Sequence, residues 1–533
     1  MRNRLKYLLL GICMLAACAM AVVTMLFYIP WSQSDMVRTS VPQIKPNSDN
    51  IAVTLPNYYT PGMVLQRGKP LAVKGKASEQ SSLTIAISDG KRTSSRTVRT
   101  ARDGSFAAEL KALPAQLQPY SLKISSNGRT ISHIDKVYVG DVFLAAGQSN
   151  MEASYDKYYR DDAYAKANMG SALTRKDLPR TISDTQVHFI VTAARTSNSL
   201  VANDMDLPLR NYSSSGWLSA TGSDSEYLGY LPQLFAEHLR EASPNVPIGI
   251  IQTAWGGTDI QPHMQDGAIF EHHIKPLTGL HIGGILWYQG EDDAQTNDRA
   301  LAYLSRFTAL ITQYRAVFDE KDLPFLYVQL ARNGGAPYTP VVRQAQSDAL
   351  IMAETTKNLA MTVSIDTDKG TSEVIHPLGK DILAARMAEQ WQAMQQGEAT
   401  PESPIAIKAA AKNDDKSRIV VSFTGDTGKG LIAMNPNFSK DANSDSVASM
   451  TKDSLQGFEA AGSDGKFVKA KAVINPDEQS LTISAEGIDD IRQVRYQWTG
   501  VPSEKPFLYN NLGLPASPFT LSVERHLLGP NDD

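Results

Sequence analysis

Beyond residue 18 the chain has no cysteine at all: its two cysteines are Cys13 and Cys18. That absence excludes a thiol nucleophile, a cysteine-ligated zinc or iron–sulfur site and an internal disulfide in everything that follows. An excess of one charge is also missing. The formal net charge is -4 over 533 residues, so nothing electrostatic recommends nucleic acid as a partner. Low-complexity tracts and long internal repeats are lacking too. With 42% apolar residues, the chain has ample material for packed cores, and a disordered protein is ruled out.

One long apolar run does occur, and it is N-terminal. Arg2, Arg4 and Lys6 precede an uncharged stretch at residues 7–29, which as a helix would extend about 34 Å, enough for a bilayer core. The basic flank and the length point to an uncleaved anchor with the remainder exported. Two other readings stay open. Leu15-Ala16-Ala17-Cys18 has the form of a lipobox, which would make Cys18 a lipidated N-terminus, and an ordinary cleaved signal is the third. All three place the rest of the chain outside the cytoplasm, facing the periplasm or the cell exterior.

Residues 31–50 read as a linker. From 51 to 139, short alternating segments such as Leu83-Thr84-Ile85-Ala86-Ile87 are divided by turn signals including Asp103-Gly104 and Asn127-Gly128, the pattern of a small β-sandwich. From 140 to 396 apolar runs at 142–146, 248–254, 282–288, 325–330 and 359–365 alternate with segments of helical period at 227–239, 301–318 and 381–394. That is the signature of an α/β fold: a parallel sheet with helices on both faces. Residues 397–525 return to a β-rich, sandwich-like texture, and 526–533 form a tail.

Sites in open parallel sheets form beyond the carboxyl ends of the strands. Those ends read Gly147-Gln148-Ser149-Asn150, Trp255-Gly256-Gly257-Thr258, Gln289-Gly290-Glu291 and Glu373-Val374-Ile375-His376-Pro377. Each alone is a weak signal, since a Gly-x-Ser turn is usually just a turn and a lone histidine usually a satisfied polar residue. In combination they offer a hydroxyl, flexible backbone N–H groups, an amide and an acid–histidine pair, which is what acyl transfer by a serine requires.

These stretches resemble the sialate O-acetylesterase family of the SGNH hydrolase superfamily. Leu286-Trp287-Tyr288-Gln289-Gly290-Glu291, Met63-Val64-Leu65-Gln66-Arg67 and Gly513-Leu514-Pro515-Ala516-Ser517-Pro518-Phe519 extend the likeness over about residues 51–525. The resemblance implies an SGNH-type esterase domain flanked by two β-domains, and a metal-free, cofactor-free serine esterase acting on O-acetylated carbohydrate. It makes Ser149 the nucleophile and His376 the base. The Ser149 N–H, a Gly256 or Gly257 N–H and the Gln289 side chain would form the oxyanion hole, with Asn150 and Glu291 in support. Where the family often has Asp two residues before the histidine, this chain has Val374; Glu373, three before, takes the orienting role. Tyr155, Tyr158 and Tyr159 are candidates to stack on a sugar. His263, His272, His273 and His281 lack a framing acid and adjacent residues point apart, so they read as structural rather than as zinc ligands. The competing function is an exported glycan-binding protein whose esterase-like domain is inactive.

Overall fold

The computed structural model describes residues 51–154, 180–191, 216–352 and 357–524. The N-terminal segment and linker, the tyrosines at 155, 158 and 159 and the C-terminal tail lie outside the described residues. Among those described, no helix is long and apolar enough to cross a membrane.

The centre is a sheet whose strands are β1 (Arg129–Gly147), β2 (Asp184–Val191), β3 (Leu218–Ala220), β4 (Ile248–Gln252), β5 (Gly284–Tyr288), β6 (Phe325–Val328) and β7 (Leu359–Thr362), in the spatial order β3-β2-β4-β1-β5-β6-β7. All neighbours pair in parallel except the edge pair β3–β2. Strands β4 to β7 are buried along their whole length. Burial on both faces is why they read as unbroken apolar runs rather than alternating ones.

The sheet is covered by α2 (Tyr230–Ala242), α3 (Asn297–Val317), α4 (Thr339–Ile351) and α5 (Lys380–Gln396); α1 (Ser149–Glu152) is a single turn that follows β1. Phe143 on β1 meets Phe235 of α2 and Trp391 of α5 edge-on. Trp287, paired with Ala146 and so projecting from the other face, packs on Phe307 and Tyr314 of α3. Helices therefore lie on both faces. Helix α4 was not apparent from the sequence, because Arg343, Gln346 and Ser347 occupy its buried side and interrupt the apolar period. Strand β2 leaves no apolar run in the sequence either, since Gln186 and His188 interrupt it.

Upstream, strands Ser82–Ser88, Thr93–Arg99 and Tyr120–Ser126 pair antiparallel and lead, through the Asn127-Gly128 turn, into β1. Leu83, Ile85 and Ile87 alternate into the interior at 0% exposure. Strand β1 belongs to both regions: its first half continues this β layer, its second half runs down the middle of the parallel sheet, and a single core joins them. Downstream, an eight-stranded sheet and a three-stranded one enclose a second core around Ile419, Val421, Leu481 and Tyr496. Buried Arg343 ties this layer to the central sheet, donating to the carbonyls of Leu330 and Ala331 and to those of Thr499 and Gly500.

Candidate active site

Three strand ends are laced together by their backbones. Gln148 N–H donates to Tyr288 O at 2.9 Å, and Trp255 N–H donates to Gly147 O at 2.8 Å, so the loops after β4, β1 and β5 lie side by side. Gly147 is what allows this approach. Its φ is +121°, and a Cβ there would sit 2.3 Å from Tyr288 O. The next residue, Gln148, is fully buried and organises the loop after β5. Its Oε1 accepts from the N–H groups of Gly290 and Glu291, both at 3.1 Å, and its Nε2 donates to Asp292 at 2.8 Å. Ser149 then opens α1 at 5% exposure.

The fourth segment, 373–380, is brought in by Asn150. Its Nδ2 donates to Glu291 Oε1 and, at 3.0 Å, to Ile375 O, the carbonyl adjacent to His376. Its Oδ1 accepts from Lys380 Nζ at 2.7 Å. The neighbours of Ser149 and His376 are thus directly bonded, and His376 is 5% exposed. Lys380 carries no motif signal: four residues past the histidine, it reads in sequence as a surface lysine at a helix start. Burial pushes Glu291 up to about 7, opposed chiefly by the Asn150 hydrogen bond, and pushes Lys380 down to about 7, opposed by the Glu291 charge.

Three expectations change. Glu373 has the right spacing, yet its side chain is exposed. Val374, not Glu373, takes the inward position, at 4% exposure. Replacing Glu373 with Gln is therefore expected to change turnover less than about threefold, well short of the roughly 10⁴-fold that a true orienting acid supplies; steady-state rates on an acetyl ester check this.

Gln289 is the second correction. Its Nε2 lies 2.6 Å from Asp293 Oδ2 and 3.2 Å from both Gln148 Oε1 and Thr258 O, while Tyr303 donates to its Oε1. With two hydrogens and three internal acceptors, the amide has nothing left for an oxyanion. It braces the floor of the site instead, against an Asp293 carboxyl that burial raises to about 7. Third, the two glycines separate. Gly256 N–H donates to Glu152 Oε2 at 2.7 Å, which pins the loop to α1. Gly257 makes no such bond among the described residues, and it has φ +73° with open space where a Cβ would be. Glu152 had no signal in the motif, being one polar residue after Met151.

His263 is buried, bonded to Thr258 at 2.8 Å and edge-on to Trp287, and burial lowers it to about 3. Among the described residues no three His, Cys, Asp or Glu side chains gather as metal donors.

Comparison with known proteins follows the same line. Residues 222–391 match the family model for carbohydrate esterase, sialic acid-specific acetylesterase. The chain is 23% identical to human sialate O-acetylesterase, across 89% of this chain and 93% of that protein. It is 23% identical to the rat enzyme of the same name, across 88% and 94%. Among solved structures, a carbohydrate acetylesterase from Xanthomonas citri superposes with a TM-score of 0.67 at 27% identity, covering 88% of this chain and 99% of that one. Motifs, family model and relatives agree: the chain is a sialate O-acetylesterase-like carboxylic ester hydrolase.

Proposed function

We propose that the chain hydrolyses O-acetyl esters on carbohydrate, sialic acid or another acetylated glycan, through an acetyl–serine intermediate, on an SGNH-type sheet. Ser149 Oγ attacks the acetyl carbonyl while His376 takes its proton. The tetrahedral oxyanion is met by the N–H groups of Ser149 and Gly257, donors that together are worth several kcal/mol in such sites. Collapse breaks the acetyl–oxygen bond, and His376 returns the proton to the sugar oxygen that leaves. A water then gives its proton to His376, attacks the acetyl–Ser149 ester and releases acetate, with the proton passing back to Ser149.

The observation that carries this reading is Asn150. From the residue next to the nucleophile it bonds both the carbonyl beside His376 and the carboxylate of Glu291. The basic flank and apolar run of the first 29 residues support an exported location, tethered to a membrane through that segment or, through Cys18, as a lipoprotein.

The test is acetate release by the full chain from O-acetylated sialic acid and from an acetylated xylan oligosaccharide, with glycan binding measured alongside. Release from at least one supports the reading. Binding to acetylated sugars with no acetate released from any of them would favour an inactive glycan-binding domain.

A further inference from the structure

A lysine at position 380 is an expensive choice. It occupies the first residue of α5, where the helix dipole is positive and a cation is disfavoured, and it is 1% exposed, where an ammonium loses its hydration. Neither cost is offset by a direct ion pair, since no carboxylate touches its Nζ among the described residues. What it does touch is informative. Nζ donates to Asn150 Oδ1 at 2.7 Å and to Pro377 O at 3.1 Å, and lies 5.2 Å from the centre of the Tyr288 ring. One cation thus contacts the turn after β1, the residue following His376, and the last residue of β5.

The bond to Asn150 also has a directional consequence. A carboxamide can sit either way round, and its neighbours decide which. Here Glu291 and Ile375 O both need donors, and Lys380 needs an acceptor. The three together allow one orientation: Nδ2 towards Glu291 and Ile375, Oδ1 towards Lys380. Without the lysine, Oδ1 loses its donor and the amide is held by its Nδ2 bonds to Glu291 and Ile375 alone.

We infer that Lys380 is a positioning residue, whose buried ammonium braces the Asn150 amide and, through it, the contact between the Ser149 turn and the His376 loop. The inference rests on the proposed roles of Ser149 and His376. Lys380 does not contact the substrate; it acts through Asn150, with Glu291 as the opposite anchor of the same unit.

The experiment compares Lys380→Met, Lys380→Arg, Glu291→Gln and the double variant E291Q/K380M in the full chain. It records kcat and KM on 4-nitrophenyl acetate, the rate and site of labelling by a fluorophosphonate, and the unfolding midpoint. Lys380→Met is expected to lower kcat about 10²-fold, with KM changed less than about threefold, because misplacement near 1 Å suffices for such a loss. Lys380→Arg keeps donor and charge and should retain at least about a tenth of kcat. The double variant should be little worse than the poorer single one, since both break one unit. If Lys380→Met does not fold, Lys380→Gln takes its place in the comparison. Equal kcat and equal labelling rates in the folded Lys380 variant overturn the inference, as does a double variant whose loss is the product of the single losses. A wild-type protein that is labelled elsewhere than Ser149 refutes the underlying assignment instead, so the two failures are told apart.

Discussion

Ser149→Ala will fold as the wild type does and release acetate about 10⁴–10⁶ times more slowly, the loss typical of removing a serine nucleophile. The chain has no cysteine after residue 18 to take its place, and the strand-end hydroxyl of Thr258 is engaged with Trp255 O and His263. The fold should be indifferent to the change. Ser149 Oγ makes no hydrogen bond among the described residues, and alanine suits the first turn of α1 better than serine does. Steady-state acetate release, with the unfolding midpoint as control, is the check. A variant that keeps more than about 1% of turnover would mean that some other group attacks the ester.

The second large effect lies two residues earlier, at the end of β1. Gly147→Ala places a Cβ 2.3 Å from Tyr288 O, 2.8 Å from Tyr288 C and 2.9 Å from Tyr288 N, on a residue whose φ is +121°. All three contacts are backbone of the neighbouring central strand, so no side chain can swing aside. The strands must part, and the two hydrogen bonds that align the loops after β4, β1 and β5 go with them. Strain at such a φ and overpacking in a rigid interior each cost about 1–3 kcal/mol, so a stability loss of roughly 3 kcal/mol or more is expected, with kcat falling by at least about 10²-fold from the displaced site. Denaturant melts and kcat measured on the folded fraction separate the two. A variant with wild-type midpoint and rate would show that the close approach of β1 to β5 is not what builds the site.

How far the sequence foretells this arrangement depends on which physical signal each element leaves. Central strands announce themselves, since burial on both faces leaves only apolar residues in runs such as 284–288. Helix α4 is silent, because its inner face is lined with Arg343, Gln346 and Ser347, polar groups satisfied by the carbonyls of Ala331, Gly500 and Gln289 and the hydroxyl of Ser517. Motif reading finds the strand-end loops and names the right stretches, but it does not say which donor faces outward. Gln289 and Gly257 look equally available in sequence; only the positions of Asp293, Gln148 and Thr258 show the amide to be consumed internally. Glu373 misleads for the opposite reason, as spacing suggests a partner for His376 while the turn exposes it and buries Val374. Lys380 leaves no trace at all, because its significance comes from a contact across 230 positions with Asn150.

Everything in the chemical account depends on a covalent acetyl group passing through Ser149. Rapid acid quenching of the full chain during turnover of an acetyl ester, followed by peptide mass analysis, tests that directly. The account predicts a population of the peptide containing residues 147–152 heavier by one acetyl group, localised on Ser149 and absent from Ser149→Ala. Acetate released at full rate with that peptide unmodified at every quench time, or with the acetyl group found on another residue, would contradict it.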